Sequence, residues 1–400
     1  MNTQQIITLF EKHVIPNYTR IPLAIVRGAG SRVWDAEGKE YLDLFPGWGV
    51  SGLGHCHPRV VEAVKAQVET LIHVPNNLYI CEQGMLAEIM SRESGMDGRV
   101  FFCNSGAEAA EAAIKLARLH GEGRHRIVTA ENSFHGRTYG AMSATGQPKY
   151  REGVSPSVEG FVHVPYNDLE AVRAAVDEET CAVMIEPVQG EGGVHPASRE
   201  YLQGLRELCD RKELVLIFDE VQTSPGRLGA VFGYQHFGVT PDVMTTAKAL
   251  AGGLPMGAIM VKPDFAPSLR PGMHATTFGG SPLCSAAGLA VFRALLEDGV
   301  LENVRTLIDW FARRLAALDR EALNIKAVRQ CGLMIGIELS IPGAPVVRRC
   351  QEEGLLVNCT HQTILRLLPA FTLTTAEAEE GMAKLEACLR NPDVGKGDGA

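Results

Sequence analysis

The chain has 400 residues, a formal net charge of −9 and a hydrophobic fraction of 46%, which allows one large domain together with a smaller one. The acidic balance excludes the basic surface on which nucleic-acid binding depends, so we expect no nucleic-acid partner. The longest stretch of low polarity, residues 249–261, is too short and too rich in glycine to cross a bilayer, so we expect no membrane association.

The first 50 residues predict a short β-structure and no targeting segment. They lack a basic stretch followed by an apolar one, which a secretory signal requires. Residues 31–45 read as a β-hairpin with its turn at Ala36-Glu37-Gly38.

The ten cysteines are scattered, without a CxxC pair or a regular framework. This usage is typical of reduced thiols in a cytosolic protein, and we expect a cytoplasmic location. His55, Cys56 and His57 are adjacent, but neighbouring residues rarely converge on one ion, so we expect no metal site.

The middle of the chain alternates apolar runs with helical patterns. Helices are predicted at 108–120, 168–176 and 199–211. Buried strands are predicted at 99–103, 125–130, 160–164, 181–187, 213–220, 242–247 and 258–261. Strands that are apolar throughout, with helices between them, predict an α/β fold with a mainly parallel sheet covered on both faces. Ligands of such sheets bind at the carboxyl ends of the strands.

The C-terminal part predicts a smaller α+β domain. Helical patterns cover 284–319, and short strands at 332–340, 354–358 and 364–368 precede a last helix at 375–389. We therefore divide the chain into an N-terminal segment (1–50), a large domain (51–295), a small C-terminal domain (296–390) and a tail (391–400).

A first candidate site is the turn at Ser105, Gly106 and Ala107, between a predicted strand and a predicted helix. Unpaired N–H groups and the helix dipole favour an anion there, and the small residues permit its close approach. The alternative is that Ser105 only caps the helix.

Asp219 and Glu220 form a second candidate site, because they end a strongly apolar strand. A carboxylate in that position needs a positive partner. The partner is a protonated pyridinium, a buried counter-charge within the protein, or magnesium. Magnesium is disfavoured because the sequence lacks the GxxxxGK[ST] loop with which nucleotide-binding proteins accompany it.

Lys248 is the third candidate, because it lies among small residues in TTAKALAGG and follows another predicted strand. A desolvated lysine has a lowered pKa and its amine can react with carbonyl groups. The alternative is a surface lysine. A phosphate site, a pyridinium partner and a reactive lysine together are what pyridoxal phosphate requires.

Several sequence blocks, in one order, carry a resemblance to a known enzyme family. They include LGHCHPRVVEAV, FFCNSGAEAAEAAIKLAR, SFHGRTYGAMSATGQ, EPVQGEGGV, FDEVQTSPGR, TTAKALAGGLPMGA, HATTFGGSPL and LRLLPAFTLT. The chain resembles the class III (subgroup II) aminotransferases nearly from end to end. The resemblance implies fold type I, pyridoxal 5′-phosphate as cofactor, a large cofactor-binding domain joined to the small domain by the N-terminal segment, and a homodimer with shared active sites.

The resemblance also implies roles for cofactor-binding residues. Lys248 would hold the cofactor covalently, Asp219 would pair with its ring nitrogen, and Gln222 would reach its phenolic oxygen. The remaining residues would enclose the ring and the phosphate: Val221 and Phe134 on the ring faces, Ser105, Gly106 and Ala107 on the phosphate, and Thr277 on the phosphate of the partner subunit's site.

For substrates, the resemblance implies that Arg137 clamps a carboxylate and that Thr276 lies nearby. Arg366 would bind the α-carboxylate of glutamate or 2-oxoglutarate. Glu191 would pair with Arg366 while the amino donor is bound and would swing away for the dicarboxylate.

The implied reaction moves the terminal amine of N2-acetylornithine to 2-oxoglutarate. Alternative donors are ornithine, 4-aminobutyrate, succinylornithine and N-acetyl-lysine-type compounds, and an aminomutase is a different reaction on the same cofactor. The sequence departs from the family pattern at Ala110, Ser224, Pro225, Pro75 and Trp48, and these departures leave the exact donor open.

Overall fold

The computed structural model describes residues 1–390; the predicted tail at 391–400 lies outside the described residues. The α-helices are α1 (Thr3–His13), α2 (Pro58–Thr70), α3 (Cys81–Ser94), α4 (Gly106–His120), α5 (Tyr139–Ala144), α6 (Leu169–Ala175), α7 (Arg199–Lys212), α8 (Gly233–Phe237), α9 (Pro282–Glu297), α10 (Val300–Ala316), α11 (Gly343–Glu352) and α12 (Thr375–Leu389). Short 3-10 helices cover Pro46–Gly49, Pro148–Tyr150, Lys248–Ala251 and Ala266–Ser268.

The β-strands of the described part of the chain form four sheets. In chain order they are β1 (Ile25–Ala29), β2 (Arg32–Asp35), β3 (Glu40–Asp43), β4 (Arg99–Cys103), β5 (Arg126–Ala130), β6 (Phe161–Val164), β7 (Thr180–Ile185), β8 (Val188–Gln189), β9 (His195–Pro196), β10 (Val215–Asp219), β11 (Val243–Thr246), β12 (Gly257–Val261), β13 (Ile325–Cys331), β14 (Met334–Leu339), β15 (Leu355–Leu356), β16 (Asn358–Thr360) and β17 (Ile364–Leu367).

A seven-stranded sheet forms the centre of the protein, in the order β4-β12-β11-β10-β7-β5-β6. These are the seven strands predicted between residues 99 and 261, with ends shifted by up to two residues. Strand β12 alone among them runs antiparallel to both of its neighbours. The prediction of an α/β fold with a mainly parallel sheet is confirmed.

The sheet is buried on both faces because its strands are apolar throughout. Along β10, Val215 and Ile217 face one hydrophobic cluster, and Leu216 and Phe218 face the other. Helix α4 covers the first of these faces with fully buried alanines between residues 109 and 117. Such small side chains allow a helix to pack closely on a sheet.

The C-terminal strands form a separate antiparallel sheet, β13-β14-β17-β16. The hairpin predicted at residues 31–45 is confirmed as β2 and β3, and β3 then pairs in parallel with β15. This pairing supports the attachment of the N-terminal segment to the C-terminal part, while the domain division at residues 50, 295 and 390 stays a prediction.

Several elements were not anticipated from the sequence, among them α2, α3, α11 and β13. Helices α2 and α3 have no side-chain cap at their N-termini, so the usual start signal is missing. Within residues 1–390, no helix combines the length and the apolar character that crossing a bilayer would require.

The segment from 131 to 138, after β5, is held against residues 145–147 by hydrogen bonds. The N–H of Asn132 donates to the Gly146 carbonyl at 2.9 Å, and the Gly146 N–H donates to Ser133 Oγ at 2.9 Å. A Cβ atom at Gly146 would lie 2.0 Å from the Ala130 carbonyl oxygen. Only glycine permits this close contact between two backbone segments.

We expect Gly146→Ala to lower the free energy of unfolding by about 1–3 kcal/mol, because the new methyl group must displace backbone. The matched control is Gly84→Ala, at an exposed position of helix α3 where a Cβ atom would meet nothing within 4 Å. That change removes a helical glycine and should stabilise by up to about 1 kcal/mol. Urea unfolding of the two variants measures the difference, and equal midpoints would contradict this account.

Candidate active site

A cavity of about 430 Å³ opens at the carboxyl ends of the central strands. It is the place where most of the predicted site residues converge. Those that line it are Ser105, Gly106, Ala107, Phe134, Arg137, Glu191, Asp219, Val221, Gln222 and Lys248. Arg366 reaches the same region through Glu191, whereas Thr276 and Thr277 line a second cavity.

Asp219 ends strand β10, and its buried carboxylate is held by three donors. Oδ1 accepts from the Val221 N–H at 3.1 Å and from the Thr245 hydroxyl at 2.9 Å. Oδ2 lies 2.6 Å from Nδ1 of His135. The alternative of a buried counter-charge within the protein is therefore partly correct, since Asp219 both faces the cavity and has an internal partner.

His135 is a functional residue that sequence reasoning missed. Its ring is fully buried against Asp219. Burial alone would lower the pKa of His135, but the hydrogen bond to Asp219 and its negative charge outweigh burial and raise that pKa. A positively charged His135 would fix the orientation of the Asp219 carboxylate. The 84 residues between the two left no local spacing by which to find the pair.

Lys248 begins the 3-10 helix that follows β11, and its φ of 43° is rare for a residue with a side chain. Its side chain enters the cavity. Burial lowers the pKa of Lys248 to about 8, although the nearby Glu191 carboxylate opposes this shift. A lysine with the usual pKa of 10.5 is almost entirely charged at neutral pH, whereas this lowered pKa leaves roughly a tenth of the amine uncharged at pH 7, the form that acts as a nucleophile or base.

The turn from β4 into α4 has the form of an anion site. Ser105 caps the helix by accepting the Glu108 N–H at 3.2 Å, while the turn also lines the cavity. A Cβ atom at Gly106 would lie 2.7 Å from Val221 Cγ1, so glycine is required by the packing. Both predicted roles of Ser105, cap and cavity wall, are compatible, and the first N–H groups of α4 can bind a phosphate there.

The remaining walls fit the ring of pyridoxal phosphate. The Oε1 atom of Gln222 is buried and finds no hydrogen-bond partner among residues 1–390, and an amide can turn its NH₂ or its oxygen toward a phenolic oxygen. Phe134 and Val221 supply apolar walls. The described residues thus offer a phosphate site, an orphaned polar group, a carboxylate and a reactive lysine around one cavity.

A buried ion pair joins Glu191 to Arg366 at the edge of this cavity. Nη1 of Arg366 donates to Glu191 Oε1 at 2.8 Å, and Asn358 Oδ1 accepts from Nη2 at 3.1 Å. The Arg366 side chain is 1% exposed, whereas that of Glu191 is 21% exposed. Burial would raise the pKa of Glu191, but Arg366 and Lys248 outweigh it and lower that pKa.

Arg137 is exposed at the cavity mouth, with its guanidinium carbon 3.8 Å from the centre of the Tyr150 ring.

Glu186, a second residue that sequence reasoning missed, is buried in the cavity wall after β7. Burial raises the pKa of Glu186 to about 7, and its carboxyl accepts the Phe134 N–H at 3.0 Å.

Thr276 and Thr277 line a cavity of about 560 Å³ beside the start of α4. Thr276 Oγ1 accepts from Asn104 Nδ2 at 3.1 Å, next to the predicted phosphate site. Neither threonine lines the cavity of its own chain that contains Lys248.

The departures from the family pattern, at Trp48, Pro75, Ala110, Ser224 and Pro225, lie outside the lining of the cavity that contains Lys248, and Pro75 lines the second cavity. Ala110 is buried within α4. Ser224 donates its hydroxyl proton to the Glu220 carbonyl, and its Oγ lies 2.9 Å from the Thr246 hydroxyl. Trp48 is 51% exposed and packs edge-on against Phe45.

The chain matches known proteins along nearly its whole length. It is 48% identical to an acetylornithine aminotransferase of Caldanaerobacter subterraneus subsp. tengcongensis, with 96% of this chain and 98% of that protein covered. It is also 48% identical to one of Methanocaldococcus jannaschii, covering 92% and 94%.

Solved structures of aminotransferases superpose on this chain along nearly its whole length. An ornithine aminotransferase of Toxoplasma gondii, described with partial occupancy of PLP at its active site, superposes with a TM-score of 0.93 at 30% identity, covering 97% of this chain and 94% of that one. An acetylornithine aminotransferase of Elizabethkingia anophelis gives 0.86 at 30% identity, covering 97% and 99%. The family model "Aminotransferase class-III" matches residues 14–389, and the chain belongs to the class-III aminotransferases.

Proposed function

We propose that this aminotransferase moves the terminal amine of N2-acetyl-L-ornithine to 2-oxoglutarate. The products are N-acetyl-L-glutamate 5-semialdehyde and L-glutamate, which places the enzyme in arginine biosynthesis. The observation that carries the proposal is the Glu191–Arg366 ion pair beside Lys248. The names of the relatives at 43–48% identity support this donor.

Pyridoxal phosphate, when bound, supplies an electron sink that makes the C–H bond beside the substrate amine acidic. Lys248 is the group placed to take that proton and return it to the cofactor carbon on the other side of the amine nitrogen, because its lowered pKa, about 8, suits a base near neutral pH. Asp219 would hold a proton at the ring nitrogen, with His135 fixing the carboxylate in place.

Two different substrates must use the cavity in turn. While Glu191 pairs with Arg366, the guanidinium is neutralised and the cavity suits a donor whose reacting end has no carboxylate. When Glu191 moves away, Arg366 can pair with the α-carboxylate of glutamate or 2-oxoglutarate. The partial exposure of the Glu191 side chain, beside a fully buried Arg366, makes Glu191 the movable partner.

The proposed enzyme is a homodimer in which Thr277 binds the phosphate in the partner subunit's cavity and Thr276 lies near its substrate. Support comes from the second cavity, which both threonines line outside their own chain's site. The large apolar residues Ile72, Leu78 and Phe278 are exposed near this cavity, as is typical of a surface that another protein covers.

A cytoplasmic location is part of the same proposal. The ten cysteines all carry free thiols in the structure. Free thiols persist in reducing compartments, which favours the cytoplasm over an oxidising one.

A spectrum of the purified holoenzyme tests the proposed donor. Adding N2-acetylornithine without a keto acid should bleach the visible cofactor band to a near-ultraviolet one, and 2-oxoglutarate should restore it. Lys248→Ala, the matched control, should keep some bound cofactor but show neither change. If the band bleaches only with ornithine or 4-aminobutyrate, that compound is the amino donor instead of N2-acetylornithine. A band unaffected by any amine would overturn the proposal.

Removing the movable carboxylate should shift the preference between the two substrates. In Glu191→Ala, Arg366 is left without its ion-pair partner, so the half-reaction with glutamate should gain relative to that with N2-acetylornithine. We expect the ratio of single-turnover rates to change by about tenfold, corresponding to roughly 1.4 kcal/mol. An unchanged ratio would contradict the switch, and Glu191→Asp should retain most of the wild-type ratio.

The lowered pKa of Lys248 sets the pH at which cofactor-free enzyme binds pyridoxal phosphate covalently. Only the uncharged amine reacts, so the rate should rise with pH and level off above about 8, the pKa that burial gives Lys248, instead of near 10.5. Since Glu191 raises this pKa, Glu191→Gln should move the profile to lower pH. Stopped-flow absorbance measures both, and a rate that still rises at pH 10 would contradict burial as the cause.

A further inference from the structure

Tyr150 ends the 3-10 helix Pro148–Tyr150 and contacts two residues that line the cavity, Phe134 and Arg137; its half-buried ring has three neighbours. Phe134 meets it edge-on, with ring centres 5.6 Å apart. Arg137 lies over it at 3.8 Å, and the Lys149 ammonium lies 4.9 Å from its centre. One ring thus connects the cavity wall to two positive charges.

The side chain of Arg137, which we expect to bind a substrate carboxylate, contacts aromatic rings. Within residues 1–390, no hydrogen bond or ion pair of its side chain is found, and its neighbours are the rings of Tyr150 and Phe134. Its closer contact is with Tyr150, since the Phe134 ring centre is 5.8 Å away. A guanidinium stacked on a ring keeps its N–H groups free at the edges, where a carboxylate can accept them.

We propose that Tyr150 is a positioning residue for substrate specificity, which stacks on Arg137 and holds its guanidinium ready for the carboxylate of the amino donor. This inference rests on the proposed function of the same cavity. Tyr150 acts through Arg137 and does not itself touch the reacting atoms.

The Phe134 contact gives the stack a fixed position. Phe134 lines the cavity, and its backbone N–H donates to the buried carboxyl of Glu186, so the backbone that carries this ring is held to the residue that follows strand β7. The Tyr150 ring rests edge-on against Phe134, and Arg137 rests on Tyr150. The carboxylate clamp is therefore placed relative to the cofactor-facing wall by aromatic contacts instead of by an ion pair, which leaves its positive charge available to substrate.

Lys149 adds to the positive charge at the same place. Its charge is one of the causes that lower the pKa of Glu191. Since the ammonium also lies over the Tyr150 ring, this ring gathers two cations at the entrance. Their combined field favours a donor that carries a carboxylate at the end far from its reacting amine.

Tyr150→Leu removes the ring, and Tyr150→Phe keeps it while removing the hydroxyl. The probe is N2-acetyl-L-norvaline, which has the carboxylate and acetamido group of the proposed donor but no terminal amine to react. Calorimetry on the holoenzyme should give a Kd for Tyr150→Leu that is raised about three- to tenfold, within the range of a cation–π contact. Tyr150→Phe should stay within about twofold of wild type.

The amide N2-acetyl-L-norvalinamide lacks the carboxylate and separates positioning from general packing. Its Kd should be the same for wild type and Tyr150→Leu. In steady-state kinetics, KM for N2-acetylornithine should rise in Tyr150→Leu while kcat stays nearly constant. If Tyr150→Leu weakens the binding of the acid and of the amide equally, the inference is overturned and Tyr150 has only a packing role.

A double-mutant cycle tests whether Tyr150 acts through Arg137. In Arg137→Ala, the added change Tyr150→Leu should have no further effect on the Kd of the acid. Additive effects of the two changes would overturn the inference. Phe161→Leu is the matched control, because it removes a ring under Arg118, at 5.1 Å, on the edge strand β6. Phe161→Leu should lower the free energy of unfolding without changing the Kd of the acid N2-acetyl-L-norvaline.

The two proposals fail in different ways. If the wild-type holoenzyme does not convert N2-acetylornithine, both proposals are overturned. If it does convert this donor and the Tyr150→Leu variant binds the acid as wild type does, only the role of Tyr150 is overturned.

Discussion

Buried charge at one edge of the central sheet is the constraint on which the active site depends. Three carboxyl groups, those of Glu186, Asp219 and Glu220, lie at or just after the ends of the adjacent strands β7 and β10, and each needs a partner. Glu186 accepts backbone N–H groups, Asp219 pairs with His135, and Glu220 accepts the N–H groups that begin α8. Of the three, only Asp219 pairs with an ionisable side chain, His135, whose pKa it raises.

The different partners give neighbouring carboxyl groups different chemistry. Burial raises the pKa of Glu186 to about 7 and that of Glu220 to about 8, so both tend toward the neutral form. Glu191, paired with Arg366, has a lowered pKa and stays charged. Glu191 therefore keeps a negative charge near Lys248, where it raises the pKa of the lysine against the effect of burial.

The central sheet could be predicted from the sequence because its strands are apolar on both faces and end in turns of small or charged residues. Ser105, Asp219 and Lys248 were found for the same reason, since each follows such a strand. His135, Glu186 and Tyr150 were not found, because their partners lie far away in the chain and no local spacing marks them. The ion pair of Glu191 with Arg366, 175 residues apart, came from the family resemblance alone.

The alanine-rich face of α4 has a consequence for how this enzyme can change. Because that face lies flush on the sheet, a larger side chain in place of one of its buried alanines would tilt or lift the helix, and the first turn, where we propose that the phosphate binds, would move with it. Affinity for the cofactor is thus partly determined by methyl groups that never touch it. Amino-acid substitutions in this enzyme are therefore restricted along the whole buried face of α4, although only its first turn reaches the active site.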